Sequence, residues 1–95
     1  MSTFTAPPSD AVEDDLLREV ARDTYVLLSP MEQSVLIAAA RGAEDKQVAA
    51  LLGCSISTVR TLWQRIYQKT GLHSRRKLIA RIWSEALRSL GGVVV

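Results

Sequence analysis

Residues 52–71 read Leu52-Gly53-Cys54-Ser55-Ile56-Ser57-Thr58-Val59-Arg60-Thr61-Leu62-Trp63-Gln64-Arg65-Ile66-Tyr67-Gln68-Lys69-Thr70-Gly71, and this stretch decides the fold. One helix stops at Gly53, because glycine takes the left-handed backbone that ends a helix at little cost. Ser55 offers a side-chain acceptor to the free N–H groups of the next helix, which stops again at Gly71. The connection is only three or four residues long and contains a glycine, the corner of a helix-turn-helix. So short a turn forces a steep crossing, in which the first helix braces the second.

At about 100° per residue, Val59, Trp63, Ile66 and Thr70 of the second helix fall within roughly 60° and are expected to face the core. Ser57, Thr58, Arg60, Thr61, Gln64, Arg65, Gln68 and Lys69 fill the opposite half, with Leu62 and Tyr67 on the flanks. The polar half has no acidic residue, which suits a surface that approaches phosphates. Arg60 and Arg65 can each donate two hydrogen bonds to guanine O6 and N7, or clamp a phosphate. Gln64 and Gln68 suit adenine, and the Thr61 methyl suits a thymine methyl. Residues near the helix start reach deepest into a major groove, which favours Arg60, Thr61 and Gln64 over Gln68. The plain alternative is an ordinary solvated face.

Working outward, Ser29-Pro30-Met31-Glu32 is a helix start: Ser29 caps, Pro30 takes the first helical position, and Glu32 completes a capping box. That helix carries Val35, Leu36 and Ala39 on one face and ends at Gly42. A short helix over about 45–52 presents Val48, Ala49, Leu51 and Leu52. The last helix begins near Ser74 and runs to about Leu90. Upstream, Ser9 or Asp10 is expected to cap a helix over about 10–27. Val12, Leu16 and Val20 recur on it at helical spacing, with Leu17, Ala21 and Leu28 on the neighbouring row. No segment alternates with period two, so the expected class is all-α. The expected organisation is a flexible arm (Met1 to Pro8) and acidic helix over 1–28, a helical domain over 29–90, and a frayed tail over 91–95.

The chain has 95 residues, enough for one small domain, and its 47% hydrophobic content supports a packed core. Aromatics supply only 5%, so that core must be largely aliphatic. No apolar run approaches the roughly 18–20 residues that span a bilayer, and no basic-then-apolar leader opens the chain. Cys54 stands alone, so no intrachain disulfide forms, as suits a reducing, cytoplasmic setting. The net charge of +2 is unevenly placed: residues 1–28 sum to −4 and residues 29–95 to +6. Such asymmetry points the second part towards a polyanion.

Catalysis is not expected. Cys54 has no second cysteine or nearby histidine, and reads as a small core residue. His73, the only histidine, sits between two helices. There is no metal-ligand spacing, phosphate-binding glycine loop, Ser-His-Asp set or pocketed carboxylate pair, so neither cofactor nor metal is expected. The last helix is apolar over a wide arc. One side must serve the core, and Ile79, Ile82, Trp83, Ala86 and Leu87 are expected to meet a second copy. Arg75, Arg76 and Lys77 crowd the positive end of that helix's dipole, an unfavourable placement unless something anionic compensates; a DNA phosphate would serve, as would solvent and salt.

Taken together, Leu28-Ser29-Pro30-Met31-Glu32-Gln33-Ser34-Val35-Leu36, Gly42, Lys46-Gln47-Val48-Ala49, Leu52-Gly53 and Ser55 resemble the DNA-binding domain of the LuxR-type bacterial transcription regulators. Thr58-Val59-Arg60-Thr61, Ile66-Tyr67-Gln68-Lys69 and Gly71-Leu72-His73-Ser74-Arg75 continue the match, which covers about residues 27–83. The resemblance implies a four-helix LuxR-type helix-turn-helix domain, preceded here by one additional helix. It implies a homodimer on double-stranded DNA, with the third family helix, about 55–70, in the major groove and the fourth at the dimer contact. By position, Arg60, Thr61 and Gln64 would read bases, to which the residue chemistry adds Arg65. Gln47, Thr58, Lys69, Ser74 and Arg75 would hold phosphates, with Ser57 beside them on the polar face.

The chain departs from the family pattern at several points. Met31 and Ser34 stand where an arginine and a glutamate are usual, Ile56 where a charge is common, Leu62 for a frequent histidine, and Trp63 for a smaller aliphatic. Family members commonly carry a regulatory domain in front, so a free-standing module and a fragment of a longer regulator are both open. The acidic first helix could pack on the module, bridge subunits or contact RNA polymerase.

The expected function is a sequence-specific transcription regulator at the bacterial nucleoid. The alternative is a module that binds RNA polymerase or another regulator, motivated by Ile56, Leu62 and the acidic helix. Sigma-factor region 4 shares the helix-turn-helix, but Ser74-Arg75 and Leu78 to Ala80 fit the LuxR type better.

Overall fold

The helix Pro30–Ala40 (α2) touches every other helix and so forms the middle of the molecule. In a computed structural model the described residues are 7–90, with side-chain surroundings described from residue 14 onward. Around α2 stand α1 (Pro7–Thr24), α3 (Asp45–Leu52), α4 (Ile56–Thr70) and α5 (Arg75–Ser89). No strand occurs among the described residues. Helix α1 lies on α2 and α5, while α3 and α4 pack on each other and on α2. Thus α2 divides an α1–α5 side from an α3–α4 side.

The start and stop signals act as the sequence suggests. The Ser29 Oγ accepts from the Glu32 N–H, and the Glu32 carboxylate accepts from the Ser29 N–H, closing the capping box of α2. Gly53 (φ 69°) and Gly71 (φ 75°) end α3 and α4 in the left-handed region, where any side chain would be strained. Ser55 and Ser74 cap α4 and α5.

Helix α1 differs from expectation at both ends. It begins at Pro7, ahead of Ser9 and Asp10, because a first-turn N–H has no helical partner and proline forfeits nothing there. It ends at Thr24, where the Leu28 N–H donates to the Tyr25 carbonyl and closes a turn. Tyr25 and Leu28 are drawn inward, leaving Val26 and Leu27 exposed. The rest of the expected arm, residues 1–6, and the expected tail, 91–95, lie outside the described residues, as do the surroundings of Val12.

One core runs through all five helices. Leu17, Val20 and Ala21 of α1 join Val35, Leu36 and Ile37 of α2, Val48 of α3, Val59, Trp63 and Ile66 of α4, and Leu78 and Ile82 of α5. Of the expected α3 positions, Val48 and Ala49 are buried and Leu51 is exposed. Leu62, expected on the flank of α4, is also buried, at 5% exposure. Helices α2 and α3 cover α4 from two sides, so its buried arc reaches about 100° instead of 60°.

Candidate nucleic-acid interface

The polar half of α4 is the exposed half. Ser57, Thr58, Arg60, Thr61, Gln64, Arg65, Gln68 and Lys69 all lie at the surface, and α4 contains no acidic residue. The Ser55 Oγ accepts from the Thr58 N–H at 3.0 Å and lies 3.0 Å from the Thr58 hydroxyl. The Thr61 hydroxyl donates back to the Ser57 carbonyl at 3.2 Å, which holds the Thr61 methyl in one orientation. Among the described residues Arg60 and Arg65 have no ion-pair partner, so their guanidinium forks stay available to bases or phosphates.

At the other end of α4 the cations are already engaged. The Lys69 Nζ lies 2.8 Å from the Glu32 Oε1, the same oxygen that accepts from the Ser29 N–H. Glu32 is only 2% exposed, so its charge requires these donors. Burial by itself would push the Glu32 carboxyl up; the Lys69 ammonium and the Ser29 donors outweigh it and hold the carboxyl below the usual carboxylate range. Lys69 therefore ties the end of α4 to the start of α2 and keeps only its remaining ammonium hydrogens for a phosphate.

Arg75 is held more firmly. Its Nη1 and Nη2 donate to the two Asp45 oxygens at 2.8 and 3.0 Å, and its Nε donates to the Tyr67 hydroxyl at 3.3 Å. The guanidinium carbon lies 4.5 Å from the centre of the Trp63 ring, a cation–π contact. Trp63 in turn stacks obliquely on Tyr67, with ring centres 5.9 Å apart. Asp45 thus supplies the anion that the clustered cations at the start of α5 require, and Arg75 pins α3, α4 and α5 together. Arg76 and Lys77, one and two residues on, are exposed and carry no ion pair among the described residues.

The remaining expected phosphate contacts are partly committed. The Gln47 Oε1 accepts from the Glu44 N–H at 2.8 Å, which leaves the NH2 group of this exposed residue as a donor. The Ser74 Oγ accepts from the Lys77 N–H at 3.3 Å and keeps its own proton to give. His73 is exposed beside Tyr67, and Cys54 is half-buried against the core.

The expected second-copy face of α5 requires correction. Ile82 and Ala86 are buried to 0% and 1% exposure within the monomer core, because α1 lies along α5 and covers them. Trp83 is half-buried, with its Nε1 donating to the Ala40 carbonyl at 2.9 Å at the end of α2. Ile79 is partly buried, and only Leu87 of the five is widely exposed. The outward face of α5 is instead Arg76, Lys77, Ala80, Arg81, Ser84, Leu87 and Arg88.

The sequence profile of the bacterial regulatory proteins of the luxR family matches residues 26–82, more than half of the chain. The chain belongs to the luxR family. The helix-turn-helix described above is that family's DNA-binding domain. The Monoamine regulon transcriptional regulator of Klebsiella aerogenes is 33% identical over 76 residues, covering 80% of this chain and 33% of that protein. Response regulator Rre1 of Synechocystis sp. (strain ATCC 27184 / PCC 6803 / Kazusa) is 39% identical over 51 residues, covering 54% of this chain and 22% of that protein. The matches therefore take in a third or less of each of these relatives. No solved structure matches the chain.

Within this luxR-type domain, the sequence reading missed Glu32 as a partner for Lys69 and Asp45 as a partner for Arg75. Both pairs join residues 30 or more positions apart, so no local spacing signals them. The cations crowded at the positive end of the α5 dipole are the one local clue that an anion lies near Arg75. Among the described residues, no helix is long and apolar enough to cross a membrane.

Proposed function

We propose that this luxR-type domain acts as a homodimeric, sequence-specific transcription regulator in the bacterial cytoplasm, on the nucleoid, with α4 in the major groove of double-stranded DNA. Arg60, Thr61, Gln64 and Arg65 contact bases. Gln47, Ser57, Thr58 and Ser74 contact phosphates, joined by Arg76 and Lys77. Lys69 and Arg75 act first through the fold, by fixing α4 in place. The observation that carries this reading is the acid-free exposed face of α4, with Arg60 and Arg65 unpaired among the described residues. Half-sites in a two-fold operator are expected about 10 base pairs apart.

The test is a mobility-shift titration on genomic fragments at low and physiological salt. Affinity is expected to fall steeply with salt, since each phosphate contact releases counterions. Arg60→Ala should relax sequence preference, while Arg76→Ala should weaken all duplexes alike. Equal losses on specific and random duplex for both variants would sink the base-reading assignment.

A second reading is supported by one observation. Leu51 is 70% exposed and Ile56 37%, one on each side of the α3–α4 turn. Two apolar side chains there suit contact with RNA polymerase or another regulator. Leu62 no longer supports this reading, because it is buried. If no duplex binds above random background, the interaction reading takes over.

A further inference from the structure

We propose that the pocket at the α1–α2 turn binds a small organic carboxylate, whose charge is received by Lys69 and Arg81 and whose apolar body rests on Tyr25, Leu28 and Leu72. The pocket has a volume of about 280 Å³ and joins the turn to the end of α4 and to Arg81 of α5. Its lining holds two cations and no carboxylate. The Lys69 Nζ holds Glu32 and still has ammonium hydrogens to give. Arg81 is exposed and carries no ion pair among the described residues. The acids of the neighbouring elements are engaged, Glu32 by Lys69 and the Ser29 N–H, and Glu85 by Arg88. The pocket therefore favours an anion.

The rest of the lining asks for more than a charge. Tyr25 and Leu28 are buried and Leu72 is partly buried, while Val26 and Leu27 stand exposed beside them and would gain cover from an apolar occupant. The Tyr25 hydroxyl has no hydrogen-bond partner among the described residues. Arg81 lies close enough for its charge to draw the Tyr25 pKa down against burial, with Glu85 acting the other way. An oxyanion held by Arg81 would bring the acceptor that this hydroxyl lacks. Drug-sized ligands occupy roughly 300–1,000 Å³, so the volume here suits a single ring or a short branched chain. A duplex phosphate matches only half of the site, since it brings charge but no apolar body for Leu28 and Leu72. The lining includes nothing of α4 before Lys69, so this site and the groove-reading face are separate surfaces, and the proposal does not rest on the DNA reading. The occupant does share, through Lys69, the ammonium that ties the end of α4 to Glu32.

The experiment titrates benzoate into the full chain and follows backbone amides by heteronuclear NMR. Saturating shifts are expected at Val26, Leu28, Thr70 and Leu72, with a dissociation constant of roughly a millimolar, as fits an occupant of about nine non-hydrogen atoms. Benzamide lacks the charge and acetate lacks the ring, so each should bind about tenfold more weakly or worse. Inorganic phosphate, the probe for a bare anion, should not reproduce the shifts. Arg81→Gln and Tyr25→Phe should each weaken benzoate about threefold or more, with helicity unchanged by circular dichroism. If one variant loses helicity, the other decides. Benzamide binding as well as benzoate, or phosphate shifting the same amides equally, would overturn the carboxylate site. So would benzoate affinity indifferent to both substitutions, or no saturation up to the solubility of benzoate.

Discussion

The front half of α4 and the corner where α4 meets α5 carry the same kinds of cation and use them in opposite ways. Arg60 and Arg65 are exposed, with no ion-pair partner among the described residues. Lys69 and Arg75 are fixed by Glu32 and Asp45 from other helices. A basic residue in a DNA-binding sequence is therefore not yet a DNA contact. Its charge is free for phosphate only where the fold has not placed a carboxylate beside it.

The largest stability effect should come from breaking the anchored end. Glu32→Ala removes a capping box and leaves the Lys69 ammonium without its partner, at a cost of about 2–3 kcal/mol, read as a lower urea midpoint at unchanged m. The pH dependence carries a defined sign. The folded Glu32 carboxyl is held below its ordinary range, so its contribution is full above that range and is lost as pH falls through the depressed value. Lys69→Met should therefore move acid unfolding to higher pH, a shift visible by circular dichroism.

The free end should behave in reverse. Arg60→Ala is expected to change stability by less than about 0.5 kcal/mol while removing about 1–3 kcal/mol of discrimination between cognate and mismatched operators. A large stability loss at Arg60 would erase the contrast. At the corner, Arg75→Ala should cost about 1–2 kcal/mol, reduced by the guanidinium's exposed side. Arg75→Lys should recover little of it, since an ammonium has neither the two-pronged fit to Asp45 nor the flat face on Trp63. The smallest effect belongs to Tyr25, whose buried hydroxyl has no hydrogen-bond partner among the described residues and whose pKa is pushed up by burial. Tyr25→Phe should be neutral or stabilising by about 0.5–1 kcal/mol in thermal melts.

Much of the fold was legible because its signals are local. Ser29, Ser55 and Ser74 announced three helix starts and Gly53 and Gly71 two ends, since a cap or a left-handed turn is set by residues a few positions apart. The inner face of α4 was legible from the period of Val59, Trp63 and Ile66. Leu62 was misplaced because the width of a buried arc depends on how many helices cover it, which periodicity does not encode. Ile82 and Ala86 were misplaced for a related reason. Their apolar character shows that something must cover them, and only the tertiary structure shows that the cover is α1.

The five helices among the described residues, to within a few positions, the helix-turn-helix and the acid-free polar face of α4 are all readable from local sequence. These follow from backbone preferences and helical period, which act over a turn or two. The tertiary structure decided which cations remain free, which apolar residues remain exposed, and that the acidic first helix lies on α5. Those properties depend on groups far apart in sequence, because burial and ion pairing are set by neighbours in space.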